Sequence, residues 1–397
     1  MKHSHPLNLW WVGLRKPTFI LSNIILLFGL LTVFSVGYSA SEKLHISSIT
    51  FFAKQVVFCI IGYFLMFVVS CQDQKTIIKI SRIGFVTCII LLVAVLFLGG
   101  SIKGAKRWIH IGFMTIQPSE ILKPFYVIIL SYLFTIWSAT RNNKYIIACI
   151  VLHIIACVLF FLEPDFGMIL TFTTIISVLF YISHVHFKRI AILGIVGLVI
   201  TLTVALSLEH VRFRIKNFFH SNQGDNYQTD LAIDAIKDGG FFGKGFGESK
   251  LKFILPDSHN DFIFAIICEE FGSIIALLLI LCYLLILYEN FLFVLDSDDE
   301  LKKIMKVKSY ERHAQNSLLD QYIFDIVFSR NVTIATVMLI FFETSVNSAV
   351  SLHLIPTKGM TLPLVSYGGS SLLSHLILLG FLLAFTRKKY RFYSNIS

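Results

Sequence analysis

The chain has 397 residues, 56% of them apolar and only 15% charged, with a mean hydropathy of +0.76. Soluble domains run at roughly 45–50% apolar and about 25% charged, so too few charges remain here to cover a water-facing surface; disorder and a disulfide-rich secreted scaffold are excluded as well. The 34 Lys and Arg against 24 Asp and Glu leave a net charge of +10, but its distribution reads as membrane topology, and nucleic acid is not an expected partner.

Runs free of Asp, Glu, Lys and Arg cover Pro17–Ser41, Gln55–Gln72, Ile83–Ile102, Pro124–Thr140, Tyr145–Leu162, Phe166–Phe187, Ile190–Leu208, Phe271–Tyr288, Asn331–Thr357 (interrupted only by Glu343) and Gly359–Thr386. About 20 apolar residues cross a bilayer as a helix, which satisfies its own backbone groups where water cannot. The expected fold is an all-α polytopic membrane protein: one domain, 1–397, built as a bundle of ten transmembrane helices. A long extracytoplasmic loop, 209–260, separates helices seven and eight, and a cytoplasmic loop with an insertion spans 289–330. With both termini cytoplasmic, 20 of the 34 Lys and Arg fall inside, and half of the other 14 sit in the long loop, which translocates regardless of charge. Met1–Lys16 and the 25 uncharged residues after it read as a retained first helix, since no cleavage tripeptide follows. The seven cysteines fall in or beside spans without CxxC spacing, so no disulfide framework or cysteine metal site is expected.

In chain order, the first chemistry-bearing segment is Lys103, Lys106, Arg107 and Trp108 before helix four. Three cations and an amphipathic ring on the outer side run against the positive-inside tendency, which points to an anionic partner such as lipid-linked phosphate. Helix four opens with Gln117, Pro118, Ser119, Glu120 and Lys123. Glu120 and Lys123 share a face and can pair, either to neutralise each other or to shape a cavity. Glu163, Pro164 and Asp165 form an acidic turn in which Asp165 is a helix cap or a ligand. His184 and His186 do not share a helical face, which argues against a metal site.

The cluster Gly239, Gly240, Gly243, Lys244, Gly245 and Gly247 lacks Walker A spacing and reads as tight turns near the membrane surface. Asp261, after His259 and Asn260, stands where the long loop re-enters the membrane, as a cap or a catalytic carboxylate. In the inner loop, Asp296, Asp298, Asp299 and Glu300 precede Lys302, Lys303, Lys306 and Lys308. That order suits a helix dipole, and Leu301, Ile304 and Met305 share a face, so a short amphipathic helix lying on the inner leaflet is expected there. Leu301 at the sixth position excludes an EF-hand. Last, Pro356–Gly359 with Lys358 leads into an irregular, glycine-rich re-entry, Leu362–Ser371, which carries Ser366 and Tyr367; such backbone is tolerated at membrane depth only where it lines protein or a cavity.

Taken together, Gly104–Trp108, Ile116–Glu120 with Lys123, Glu163–Asp165, Asn226–Gln228, Gly243–Gly247, His259–Phe264 and Leu362–Ser371 resemble, in family order, the SEDS family of polytopic peptidoglycan glycosyltransferases. Pro356–Thr361, with its Lys358, looks more like the division branch than the elongation branch. The resemblance assigns Asp261 to the family's essential carboxylate. Departures are Asn260 for Thr, Asp257 for Glu, Cys268 for Gly and Glu343 where Gln is common; Glu343 adds an intramembrane carboxylate without an evident partner.

The resemblance implies polymerisation of lipid II at the outer face of the bacterial cytoplasmic membrane, at the division septum. The 4-hydroxyl of one sugar attacks C1 of another, and undecaprenyl diphosphate departs. Asp261 is then the expected base, with Arg107 and Lys358 neutralising the diphosphate, assisted by a divalent cation, Mg or Mn. Trp108, Gln117, Glu120, Lys123, His259, Ser366 and Tyr367 complete the expected substrate cavity. Implied partners are lipid II, a class B penicillin-binding transpeptidase and other divisome proteins. A lipid II flippase and a non-catalytic divisome scaffold are the alternatives. Internal repeats expected of a transporter are not evident, and the charges cluster at the outer face.

Overall fold

The computed structural model describes residues 6–44, 47–102, 105–111, 114–183, 227–310, 317–356 and 359–387. Among them the chain forms α1 (Pro6–Gly13), α2 (Lys16–Leu44), α3 (Ser48–Ser70), α4 (Gln74–Leu98), β1 (Gly100–Ile102), β2 (Ala105–Ile111) and β3 (Met114–Ile116). There follow α5 (Pro118–Thr140), α6 (Lys144–Leu162), α7 (Phe166–Ile182), α8 (Tyr227–Gly239), α9 (Leu251–Ile254), α10 (Ile263–Tyr310), α11 (Ser317–Ser351) and α12 (Gly369–Thr386). Eight of the helices are long and apolar enough to cross a membrane, and α7 is a shorter apolar one. Nine of the ten expected spans are therefore present; the tenth, Ile190–Leu208, lies outside the described residues, as do His184 and His186. All seven cysteines are free thiols.

Several helices begin where the sequence supplies a local stop. Ser47 accepts from Thr50 N at the start of α3, Asp73 from Thr76 N at α4, and Asp165 from Met168 N at α7. Pro118 opens α5, where its missing N–H costs nothing. Most of α12 is buried, whereas most of α3 and α6 faces outward. Two apolar clusters flank α12: one joins α4, α5, α6, α7 and α11, the other α2, α3 and α10. Because lipid is as apolar as leucine, close packing and buried polar pairs, more than water exclusion, hold such helices together.

From α2 to α7, and again from α10 to α12, successive described spans alternate direction and so define two ends. One, the rim, gathers the small sheet, the α6–α7 turn, α8, α9 and the starts of α5, α10 and α12. The antiparallel order β1-β2-β3 makes the segment after α4 a strand meander, a short exception to the helical pattern.

At the opposite end, α10 runs on without interruption past its span. From Ser273 to Tyr310 it is about 57 Å long at 1.5 Å per residue, against roughly 30 Å of hydrocarbon. The insertion is thus not a separate short helix lying on a leaflet. It is a coaxial extension of α10 that pairs with the start of α11, through Arg330 Nη1 to Asp298 Oδ1 at 2.6 Å and Tyr322 OH to Glu300 Oε1 at 2.7 Å. Leu301, expected on a lipid-facing stripe, is buried in that contact region.

Candidate active site

At the rim, α10 is preceded by a tight turn. Asp257 takes a left-handed backbone (φ 51°), and its carbonyl accepts from the amides of Asn260, Asp261 and Phe262. Asp261 is left half-buried at the mouth of the helix. A re-entrant segment runs against this turn; its described residues, 352–356 and 359–368, are not helical, so the last span starts at Gly369 and not at Gly359. It reaches well into the bundle, where Tyr283 OH of α10 donates to Pro363 O at 2.5 Å. Ser366 Oγ donates to Asn260 O, Tyr367 N to His259 O, and Gln55 of α3 holds Ser366 O and Gly368 N. Tyr367 stacks on Phe51 with ring centroids 3.8 Å apart, and His259 meets both rings edge-on. Buried in this way, the irregular backbone has partners at a depth where lipid offers none.

Asn347 of α11 bridges the two strands of the site: its Nδ2 donates to Asp261 O at 3.0 Å and to Met360 O at 2.6 Å. Gly359 lies directly on the Asp261 carboxylate. A Cβ there would fall 2.5 Å from Asp261 Oδ2, so only glycine permits the approach. Lys358, next in sequence, and Lys103 lie outside the described residues.

Across the rim, β2 exposes Lys106 and half-buries Arg107 and Trp108. Alternation along the strand sends Arg107 to the opposite face from its two neighbours. There its guanidinium holds the acidic turn, with Nε donating to Glu163 O at 2.7 Å, Nη2 to Pro164 O, and Nη1 lying 3.7 Å from Asp165 Oδ2. Arg107 was expected to face a diphosphate; much of its donor capacity goes to this turn. Asp165 is the α7 cap and also accepts from Gln117 Nε2 at 3.3 Å. Glu163 is buried with both carboxyl oxygens unpartnered. Burial, reinforced by Asp165 and opposed by Arg107, pushes its carboxyl up to about 8.

Below the rim lies the partner that sequence reasoning did not find for Glu343. Lys123 Nζ donates to Glu120 Oε2 at 2.7 Å and to Glu343 Oε1 at 2.5 Å, and His375 Nε2 lies 2.6 Å from Glu343 Oε2. Lys123, Glu343 and His375 are almost wholly buried. A chain of bonds joins this cluster to the rim: His375 Nδ1 to Ser371 O, Ser371 Oγ to Thr361 Oγ1, and Gln117 N to Ser370 Oγ. The expected residues at 107, 117, 120, 123, 259, 261, 366 and 367 therefore belong to one connected network; Trp108 shares β2 with Arg107. Gln55, Asn347 and His375, which sequence reasoning passed over, complete it. Their only local signal is a polar side chain inside an apolar run. Among the described residues no group of three or more His, Cys, Asp or Glu could hold a metal ion. A divalent cation finds no cage of side chains among them.

The glycine cluster serves the fold. Gly272 breaks α10 with φ 84°, which leaves carbonyls and amides of the broken turn without helical partners. The loop 240–245 supplies them: Lys244 N and Gly245 N donate to Glu269 O and Glu270 O, while Ser273 N and Ile274 N donate to Gly240 O and Phe241 O. The contact is so close that a Cβ on Gly272 would lie 2.3 Å from Phe241 O.

These features define a multi-pass helical membrane protein whose rim gathers the half-buried Asp261, a re-entrant segment and a cation-bearing strand. The family model described as cell cycle protein, covering FtsW, RodA and SpoVE, matches residues 15–311 and 322–391, and the chain belongs to that family. It is 29% identical over 385 residues to the probable peptidoglycan glycosyltransferase FtsW of Caulobacter vibrioides, covering 96% of this chain and 92% of that one. It is 32% identical to the FtsW of Haemophilus influenzae, described in the same words, over 93% of this chain and 89% of that one. A solved structure described as "Structural coordination of polymerization and crosslinking by a peptidoglycan synthase complex" shares the fold, with TM-score 0.71 at 21% identity over 96% of this chain and 100% of that one.

Proposed function

We propose that the chain is a peptidoglycan glycosyltransferase that polymerises lipid II at the outer face of the bacterial cytoplasmic membrane during division, with the rim outward and both termini cytoplasmic. The observation that carries this is Asp261: a half-buried carboxylate at the mouth of α10, its backbone held by Asn347 and its side chain faced by Gly359. The names borne by its relatives support the reaction class.

In this reading the Asp261 carboxylate takes the proton from the attacking 4-hydroxyl as the new bond to C1 forms and undecaprenyl diphosphate leaves with inversion. General-base help of this kind contributes about 10²–10⁴-fold. The leaving diphosphate is met by Lys358 and Lys106, with the remaining charge of Arg107. His259, Tyr367 and Trp108 offer ring faces to sugar, and Gln117, Ser366, Glu120 and Lys123 set the cavity behind them. A divalent cation, Mg or Mn, would add positive charge that helps the diphosphate leave. A class B penicillin-binding transpeptidase is the proposed partner, docking on the outer helix ends with other divisome proteins; the similarity to a chain from a synthase complex supports this.

The test is a polymerisation assay with labelled lipid II and purified protein, with and without the transpeptidase. Asp261→Asn is expected to lower glycan synthesis at least 100-fold while the protein keeps its melting temperature. Undiminished chains from the variant would remove Asp261 from the chemistry. A wild type that moves lipid II across vesicles without lengthening glycan would favour a flippase.

A further inference from the structure

The buried pair Glu343–His375 has a geometry that fixes a proton. Nδ1 of His375 lies 2.7 Å from the carbonyl of Ser371, an acceptor only, so Nδ1 carries a hydrogen. Nε2 lies 2.6 Å from Glu343 Oε2, a second acceptor whenever that carboxylate is ionised. Two lone pairs at that distance repel, so one hydrogen lies between Nε2 and Oε2, whichever atom bears it. Glu343 Oε1 meanwhile receives Lys123, which also neutralises Glu120. With the shared proton the four groups sum to zero charge; without it they carry one negative charge in a site closed to water. An unpaired charge so placed is expensive.

We propose that Glu343 and His375 are positioning residues that hold one proton and thereby fix the re-entrant segment against Asp261. This rests on the glycosyltransferase reading of the rim. The mechanical path is short. His375 holds Ser371 on the same face of α12, Ser371 Oγ meets Thr361 Oγ1, and Met360, beside it, shares Asn347 with Asp261. Asn347 and Glu343 stand four residues apart on one face of α11, so the same helix carries both ends of the link. Loss of the proton sets Nε2 against Oε2, loosens the first turn of α12, and moves Gly359 and its neighbours off the Asp261 carboxylate. Other titratable groups facing the pair, among the described residues, are Glu120 and Lys123 from α5 and Tyr283 from α10; the Tyr283 hydroxyl is committed to Pro363 O.

The discriminating substitution is Glu343→Gln. Its amide donates to a neutral Nε2 and its carbonyl accepts from Lys123, so the bonds survive without the extra proton. Melting temperature and lipid II polymerisation are measured against pH for wild type, Glu343→Gln and His375→Ala. For wild type, melting temperature falls as pH rises through loss of the proton, and turnover falls about tenfold per pH unit on the same limb. Glu343→Gln flattens both curves over that range. His375→Ala lowers turnover at least tenfold at pH values where wild type keeps the proton, and the two converge along the wild-type alkaline limb. Identical alkaline limbs in wild type and Glu343→Gln would overturn the shared proton, and wild-type turnover in His375→Ala would overturn the positioning role. The melting curves need no activity. If they separate as expected while no glycan forms from any protein, the reading of the rim fails and the proton assignment stands.

Discussion

Among the described residues two lysines, Lys123 and Lys252, are almost wholly buried, and they are held in different ways. Lys252 of α9 donates to Gly247 O at 2.7 Å, Glu270 Oε1 at 2.9 Å and Ser35 Oγ at 3.3 Å. Its own backbone is bound as well, through Ser249 and Ser258. Neighbouring Glu269 caps α9 by accepting from Ser249 Oγ and the amides of Lys250 and Leu251. Through Glu269 and Glu270 that knot fastens the 240–258 loop to the break in α10, and through Ser35 to α2. Lys123, by contrast, contacts only the two carboxylates, and the far side of Glu343 leads through His375 to the rim. A lysine shared among a carbonyl, a hydroxyl and one acid fixes a fold; one balanced between acids beside a re-entrant segment can respond to protonation.

Lys252→Met tests the first half of that contrast and carries the largest expected effect. It leaves Glu270 buried without its cation, a loss of about 3–5 kcal/mol. Thermal unfolding in detergent should drop accordingly. Adding Glu270→Gln should restore much of the loss, because the uncompensated charge, more than the missing bond, is the cost. A double variant as unstable as the single one would show that the contacts dominate.

Glu163 provides the counter-example, a buried carboxyl with no lysine at all. Its carboxyl stands at about 8 instead of the ordinary 4.5. Below 4.5 both folded and unfolded chains hold the proton. Between 4.5 and 8 only the folded chain holds it, so stability falls as pH rises through that window, and the loss is complete above it. Glu163→Gln should therefore be more stable than wild type at pH 8.5, by about 1–3 kcal/mol, with the two converging near pH 4.5. Curves that stay parallel from pH 5 to 8.5 would show that Glu163 is ionised in the fold, drawn down by Arg107 more strongly than burial pushes it up.

What the sequence revealed follows the same division between local and distant. Charge-free runs mark the spans because the bilayer imposes a local rule: twenty residues without a charge. The motifs around Asp261, Arg107 and Gln117 were readable because each stands at the end of a run, where a charge or turn residue interrupts the pattern. Glu343 was conspicuous, but its partners were not, since Lys123 is 220 residues away and His375 is 32. Lys252 looked like an ordinary loop lysine. Its burial depends on a break at Gly272, and a single glycine in an apolar run gives no sign that φ will reach 84°. The coaxial extension of α10 was hidden for a similar reason: its acid-then-base order suits any helix, and only the pairing with α11 fixes its direction.

Gly359→Ala is the finest probe of the comparison, because it acts where fold and site meet without touching either buried lysine. The new methyl would stand 2.5 Å from Asp261 Oδ2 and 3.2 Å from its Cγ, and the far end of a flexible side chain can give way more cheaply than backbone. Stability should therefore change by less than about 1 kcal/mol. The carboxylate would swing off the position that faces the attacking hydroxyl, and a displacement near 1 Å there should slow turnover roughly 10- to 100-fold. Set beside it, Gly272→Ala meets the Phe241 carbonyl and a positive φ, so it should unfold the knot by about 1–3 kcal/mol. Its activity should track the folded fraction. If Gly359→Ala instead melts early and keeps full turnover per folded molecule, the close approach to Asp261 is a packing feature, and the two glycines, like the two lysines, would do the same work.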